Sequence, residues 1–238
     1  MKSAWMVGLL VAAGTAQAVE IYNNGPVVNG SGLSVLTSPS TTLGFASVAA
    51  SGFTLADDFT VPAGQTWNIA SIDFFAYQTS AGGYTFTNVA WSVVQGASAD
   101  TGTLVASGTT AVTNGGVAGY RVTSTTLTNT ARAIYRLQTD VADFSVGAGQ
   151  YWVTWALAGT GASGPFVPPV SDGRTGNAAQ NSGLGYVQLT DGGSGVTVEL
   201  PFAINGTVSA VPEATSAAML LAGGVLVLGV ARRRRSPR

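Results

Sequence analysis

The chain has 238 residues with no cysteine and no histidine, and its formal net charge is −1 at pH 7. The absence of cysteine excludes disulfides and thiol chemistry, and the absence of histidine removes the commonest general base and every Ser-His-Asp triad. Residues 19–210 contain ten acidic residues and four arginines, a net charge of −6. An acidic body with no basic cluster argues against a nucleic-acid partner.

The first 18 residues have the three regions of a secretory signal peptide. Lys2 supplies the positive charge, residues 4–13 form an apolar run, and Ala16 and Ala18 form an Ala-x-Ala cleavage site. This pattern predicts export, with cleavage after Ala18. An uncleaved N-terminal anchor is the alternative, but the apolar run is shorter than the roughly 20 residues that a spanning helix needs.

Residues 19–210 are predicted to form one all-β domain. Segments rich in Val, Ile, Thr and aromatic residues alternate with Gly, Asn, Ser and Pro clusters, and no long helical period is present. Asn114-Gly115-Gly116 and Asp191-Gly192-Gly193 predict turns. The predicted strands are residues 53–61, 67–78, 87–95, 104–112, 120–127, 133–140, 151–157, 184–190, 196–200 and 203–208. Residues 67–78 are apolar on both sides near their middle, which predicts a central strand.

One internal repeat bears on the arrangement of the strands. Residues 58–67 and 143–152 share the pattern Asp-Phe-x-Val-x-Ala-Gly-Gln-x-Trp, with seven of ten positions identical. Each copy is typical of a strand end, a turn and a new strand, which predicts two similarly built corners of a two-sheet antiparallel sandwich, jelly-roll-like in form. The alternative is that two unrelated turns each select glycine, at Gly64 and Gly149.

The segment 159–183 is a long predicted loop with little strand propensity. Long loops inside compact domains are often functional, and Phe166, Asp172 and Arg174 give this one some binding character. A loop packed on the surface without a function is the alternative.

Paired carboxylates are the remaining raw material for catalysis, as in glycoside hydrolases. The pairs are Asp57 with Asp58 and Asp140 with Asp143, but neighbours on a strand point to opposite faces, so we expect a non-enzymatic protein. Calcium is a better-motivated ligand because it binds oxygen donors and needs no histidine. Its candidate ligands are Asp57, Asp58, Asp140, Asp143 and Asp172, although no Asp-x-Asp-x-Asp-Gly run is present. No other cofactor is expected.

Five aromatic residues of the body could stack on sugar rings: Trp67, Trp91, Tyr151, Trp152 and Trp155. A carbohydrate-binding module is therefore a second hypothesis, and it requires at least two exposed rings on one face. The alternative is that these rings belong to the core.

Residues 211–238 have the pattern of a membrane stop-transfer sequence. An apolar or small-residue stretch, 217–231, precedes the basic tail 232–238, which begins with Arg232, Arg233, Arg234 and Arg235. Positive charge is retained on the cytoplasmic side, so the preceding domain is predicted to face outward. Fifteen helical residues span roughly 22 Å of a hydrocarbon core about 30 Å thick, which favours a temporary membrane stop.

This tail resembles the PEP-CTERM sorting signal of Gram-negative exported proteins. Val211, Pro212 and Glu213, a small-residue spacer, an apolar helix and an arginine cluster carry the resemblance, with Ala214 in place of the usual second proline. The resemblance implies processing by an exosortase-type membrane protease, an inner-membrane intermediate, and delivery to the cell surface or exterior. We therefore expect a structural or adhesive surface or matrix protein, with exopolysaccharide as a candidate partner.

Overall fold

The computed structural model describes residues 18–211, which are built almost entirely of β-strands. One short 3-10 helix, Ala49–Ser51, interrupts them. The strands are β1 (Val19–Asn23), β2 (Leu33–Leu36), β3 (Phe45–Ala46), β4 (Thr54–Val61), β5 (Gln65–Ala76), β6 (Phe86–Gln95), β7 (Thr103–Ala111), β8 (Thr113–Thr123), β9 (Ala133–Val146), β10 (Gly149–Gly159), β11 (Phe166–Val167), β12 (Ala179–Asn181), β13 (Tyr186–Gln188) and β14 (Phe202–Ala210).

Two six-stranded sheets form a sandwich. The first sheet has the order β1-β14-β5-β9-β8-β2 and the second has the order β13-β12-β4-β10-β6-β7, while β3 and β11 form a small separate pair. Apolar side chains from both sheets form the main core, with Phe74, Trp155 and Phe202 among its fully buried members. The predicted all-β, two-sheet arrangement is confirmed.

The sheets are antiparallel with one exception, because β2 pairs in parallel with β8. These two strands are far apart in the sequence, so no hairpin imposes an antiparallel direction on them. The prediction of a central strand at residues 67–78 is also confirmed, since β5 lies between β14 and β9.

The two repeat copies form the two corners predicted from the sequence. One corner takes the chain from β4 in the second sheet to β5 in the first, and the other returns it from β9 to β10. They lie side by side, because Val61 pairs with Gly149 and Trp67 pairs with Val146. The glycines differ, with φ of 76° at Gly64 and 152° at Gly149, so the shared pattern does not encode one turn conformation.

Two local predictions are wrong for identifiable reasons. Asn114-Gly115-Gly116 is not a turn but an irregular part of β8, where the ladder to β9 shifts register between Asn114 and Val117. A Cβ at Gly115 would approach the Arg136 side chain to 3.0 Å, so the glycine permits close packing there. Residues 196–200 form no strand but only an isolated bridge between Thr190 and Thr197. The other predicted turn, at Asp191, is confirmed.

The described chain enters and leaves the domain at one end of the first sheet. Val19 of β1 pairs with Gly206 of β14, and Ala210, the last residue of β14, pairs with Gln65. Every described strand finds its partners within residues 19–210, and so do the hydrophobic clusters. This segment therefore contains the described core and every described strand pair.

The predicted sorting sequences fall mostly beyond the described residues. Residues 1–17, with Ala16, and residues 212–238, with the predicted helix 217–231 and the arginine cluster, lie outside them. In the part of the chain that the structure covers, we find no helix of a length and apolarity that would let it cross a membrane.

Candidate functional site

Three carboxylates meet at the edge of β4 and form what we call the acidic cluster. One carboxylate oxygen from each of Asp57, Asp58 and Glu199 lies within 4.8 Å of the other two. The cluster forms where β12 stops pairing with β4, since that ladder covers only Thr54 to Ala56. Beyond it, the Leu200 N–H donates to Asp57, and the Glu199 carboxylate lies beside those of both aspartates. The expectation that Asp57 and Asp58, as neighbours on a strand, point to opposite faces and do not easily serve one site together is therefore wrong.

Asp57 is the buried member of the acidic cluster, with no exposed surface. Its Oδ2 accepts a hydrogen bond from the Leu200 N–H at 2.6 Å, and its Oδ1 accepts one from the Asp58 N–H at 2.9 Å. Burial raises the pKa of Asp57 well above its ordinary value, and the Glu199 charge adds to this, although the two backbone hydrogen bonds oppose it. Burial also raises the pKa of Glu199, against hydrogen bonding from Asn24.

Polar side chains at the end of β1 lie beside the acidic cluster. The Tyr22 hydroxyl donates to Asn24 Oδ1 at 2.7 Å, and it lies 3.4 Å from the backbone oxygen of Asp58. Asn24 is almost fully buried, and its Nδ2 donates to the Leu200 oxygen at 3.0 Å. Burial raises the pKa of Tyr22, and the charges of Asp58 and Asp57 raise it further, so this phenol stays protonated as a donor.

The donor set of the acidic cluster matches a hard cation. All its ligand atoms are carboxylate oxygens, and calcium takes several such oxygens together with amide and backbone carbonyls. Within residues 18–211, a buried Oδ1 on Asn177 has no hydrogen-bond partner, and the backbone of Asn177 lies near enough to Glu199 to oppose the rise of its pKa. Gly176 lies so close that a Cβ there would overlap Glu199 Oε2. A proton or a cation would relieve the repulsion among the three carboxylates.

The other predicted calcium ligands lie elsewhere. Asp140 and Asp143 are exposed on β9, in the first sheet, and Asp172 forms an exposed ion pair with Arg174 at 2.9 Å. Two of the candidate residues, Asp57 and Asp58, thus belong to the acidic cluster, and sequence reasoning missed Glu199. The available signal was a single carboxylate between two buried apolar neighbours, Val198 and Leu200.

The long segment 159–183 contributes to a separate small cavity of about 250 Å³. Asp172 and Arg174 line it, together with Arg121 and Asp191. Burial lowers the pKa of Arg121 to about 10. Its guanidinium donates to the backbone oxygens of Thr42 and Leu43 and to the Ser34 hydroxyl. Phe166 does not join this cavity but packs on Tyr77, with ring centroids 5.7 Å apart.

Asp191 acts within this region as an acceptor that holds two loops together. Its carboxylate accepts hydrogen bonds from the backbone N–H groups of Thr41, Thr42, Gly193 and Ser194. Burial alone raises the pKa of Asp191, but these hydrogen bonds outweigh it and hold the pKa well below its ordinary value. Asp191 is therefore an ionised structural group.

The predicted sugar-stacking platform is wrong. The five aromatic residues are all buried, and the most exposed, Trp152, has 7% of its surface accessible. Tyr151 stacks on Phe59 with ring centroids 5.3 Å apart, and Trp155 packs on Phe74 at the same distance. These rings fill the interior because the area they remove from water contributes most to the core.

Comparisons with known proteins give no match from which a function of the site could be inferred. No protein-family model, no curated protein and no solved structure matches this chain. The acidic cluster, the two described chain ends and the sequence of the tail are therefore the observations on which a function is proposed.

Proposed function

We propose that this protein is a non-enzymatic component of the bacterial surface or extracellular matrix, delivered by its PEP-CTERM-like tail to an exosortase-type sorting system. In this proposal a signal peptide, residues 1–18, directs export. A transmembrane helix at residues 217–231 then holds the chain in the inner membrane until the tail is processed. The jelly-roll-like sandwich is the part that is displayed.

The tail sequence is the observation that carries this proposal. Pro212 and Glu213 mark the processing region, the apolar stretch supplies the membrane stop, and Arg232 to Arg235 orient it. The boundaries of the folded domain agree with this division, because β1 begins at Val19 and β14 ends at Ala210. Processing at both ends would thus leave every described strand intact.

The way β14 is held suits a domain that is tethered through its C-terminus. β14 pairs with β1 on one side and with β5 over nine residues on the other, and the Val211 N–H donates to the Gly64 oxygen at 2.8 Å. β14 is therefore held by backbone hydrogen bonds up to the residue from which the tail extends. This supports display of the folded domain at the end of the tail.

The environment of Asp57 supports a non-enzymatic function. Glycoside hydrolysis requires two carboxyl groups on either side of a bound sugar. Asp57 has no exposed surface, and both of its oxygens accept backbone hydrogen bonds, so a sugar ring cannot reach it. Asp58 uses one oxygen to accept from Gln150 Nε2 at 2.9 Å.

Deletion of residues 211–238 tests the sorting proposal in the native host. We expect the truncated protein to be exported but lost from the surface, while a full-length Asp143→Asn control is delivered normally because that residue lies outside both sorting sequences. The recovered wild-type protein should have an intact mass that begins at Val19 and ends near Val211 to Ala214. Normal surface delivery of the truncated protein, or a mass that retains the arginine tail, contradicts the proposal.

A second candidate function is calcium-dependent stabilisation of the displayed domain. The observation that favours it is the convergence of the Asp57, Asp58 and Glu199 carboxylates, with one oxygen of each within 4.8 Å of the others. We expect calcium to raise the thermal midpoint of the wild-type domain relative to chelator, and Asp58→Asn to reduce that rise. The matched Asp143→Asn variant should keep it. An identical midpoint with calcium and with chelator contradicts this candidate.

Exopolysaccharide stays a proposed partner, but without aromatic stacking as its basis. The small cavity lined by Asp172 and Arg174 offers hydroxyl and charged groups in place of exposed rings. Retardation of the domain in gels that contain the host polysaccharide is the measurement, and unchanged mobility contradicts this partner.

A further inference from the structure

The four sheet edges of the described domain differ greatly in length. β1, β2 and β13 form three of them and contain five, four and three residues, whereas β7 forms the fourth and contains nine. Short edge strands leave few backbone groups free to pair with another chain. β7 is therefore the longest edge strand among the residues that the structure describes.

β7 also lacks the usual chemical protection of an edge. Exposed edges are commonly blocked by charged side chains, by proline or by bulges. Residues 101–120 contain no charged residue and no proline. One bulge is present, since the ladder to β6 shifts between Val93 and Val94, but from Ala106 to Ala111 the pairing is regular. Six consecutive residues thus offer a straight, uncharged edge.

The lack of charge bears on which partner suits this edge. When two copies of one chain pair antiparallel through the same strand, the same residues stand on both sides of the contact. A charged residue near the centre of that strand then lies close to its own copy on the partner. Like charges opposite one another destabilise a ladder. β7 carries no charge although the domain has a net charge of −6, so this repulsion is absent when two copies pair. An edge that binds a basic partner would instead be expected to carry acidic residues.

The side chains along β7 are compatible with such a contact. Ser107 and Thr109 are exposed, while Ala106, Gly108 and Thr110 are half-buried toward the rest of the domain. Small polar side chains keep the outer surface even, so two sheets can align edge to edge. A twofold contact of this kind would join the second sheets of two copies into one twelve-stranded sheet.

We propose that β7 is a self-association edge, through which two copies of this chain pair antiparallel. This inference does not depend on the sorting route, because it concerns only the folded domain. For a displayed protein, such pairing would join neighbouring molecules on the surface.

Charged substitutions on β7 test the proposal in the segment 19–210, which contains every described strand. We expect the wild-type segment to dimerise with increasing concentration in sedimentation velocity. The double variants Ser107→Lys/Thr109→Lys and Ser107→Glu/Thr109→Glu should each weaken dimerisation by about tenfold or more. An equal mixture of the two variants should associate again, because opposite charges then face each other.

Leu184→Lys is the matched control, since this residue is 97% exposed and lies outside β7. It should dimerise like the wild type. If a double variant does not fold, hydrogen exchange of the wild-type segment decides the matter, because the backbone amides of residues 106–111 should gain protection as concentration rises. A wild-type segment that stays monomeric, double variants that dimerise normally, or β7 amides that gain no protection would each overturn the proposal.

Discussion

The substitution Glu199→Gln measures the repulsion stored in the acidic cluster. At a separation of 4.8 Å or less between carboxylate oxygens, two full charges repel by roughly 3.5 kcal/mol at an effective dielectric constant of about 20. Glu199 is partly exposed, so screening by solvent reduces the expected effect to about 1–2 kcal/mol. In chelator, the variant should therefore be more stable than the wild type at slightly alkaline pH.

The sign of the pH dependence follows from the raised pKa of Asp57 and of Glu199. An acid whose pKa is higher in the folded state contributes stability below its ordinary pKa of about 4, and that contribution is lost as pH rises through the folded value. Wild-type stability should thus fall as pH rises above about 4, and Glu199→Gln should flatten this fall. The substitution also replaces one carboxylate oxygen by an amide group, so the change of the unfolding free energy with pH is the quantity to compare.

Urea unfolding followed by fluorescence of the buried tryptophans, at several pH values in chelator, is the assay. Asp143→Asn removes one exposed carboxylate, at the repeat position that corresponds to Asp58, and the pH dependence of its stability should run parallel to that of the wild type. A Glu199→Gln variant with the wild-type pH slope would refute the electrostatic coupling. Calcium should reverse the order, stabilising the wild type above the variant, because the variant lacks one ligand.

Three further substitutions test other parts of the structure by urea unfolding. Asp191→Ala should lower the free energy of unfolding by about 2–3 kcal/mol, because several backbone N–H groups lose their acceptor. Because the pKa of Asp191 is lowered in the folded protein, its stabilisation should be present above its ordinary pKa and be lost at more acidic pH. A wild-type free energy of unfolding that does not fall in acid would contradict this. Arg136→Leu should cost about 2 kcal/mol, since Asp73 is 1% exposed and loses its only salt-bridge partner within residues 18–211. Gly176→Ala should cost about 1–2 kcal/mol and abolish any calcium response, because its methyl group displaces Glu199. If Arg136→Leu or Gly176→Ala is as stable as the wild type, the Arg136–Asp73 ion pair or the close approach of Gly176 to Glu199, respectively, is not needed for stability.

Local sequence patterns predicted the elements whose signal lies within a few neighbouring residues and does not depend on the strands with which they pair. The strand at residues 67–78 was identified from its apolar residues alone, and the corner at Gly64 from its turn residues, since both signals lie within a few neighbouring positions. Short strands such as β2 and β12 were missed, because three or four residues carry too little alternation. The Asn114-Gly115-Gly116 pattern was misread because glycine serves a bulge as well as a turn.

The acidic cluster lay beyond sequence reasoning for a different reason. Asp57 and Glu199 are separated by most of the domain, and nothing near either residue indicates the other. Their contact arises because β12 ends early and leaves the edge of β4 free for the chain around Leu200. The length of the β12–β4 ladder and the path of the chain beside it are set only when the sheets assemble, so the sequence near either residue does not show them.

The sequence by itself determined the all-β class, the two-sheet arrangement with its paired corners, and the exclusion of histidine and cysteine chemistry, because composition and periodicity act locally. It also contains the whole basis for the proposed sorting route. Only the tertiary structure decided that the aromatic rings are buried, that Glu199 completes the acidic cluster, and that β7 is a long open edge. Those features depend on which strands become neighbours, and strand pairing is set by the packing of the entire core.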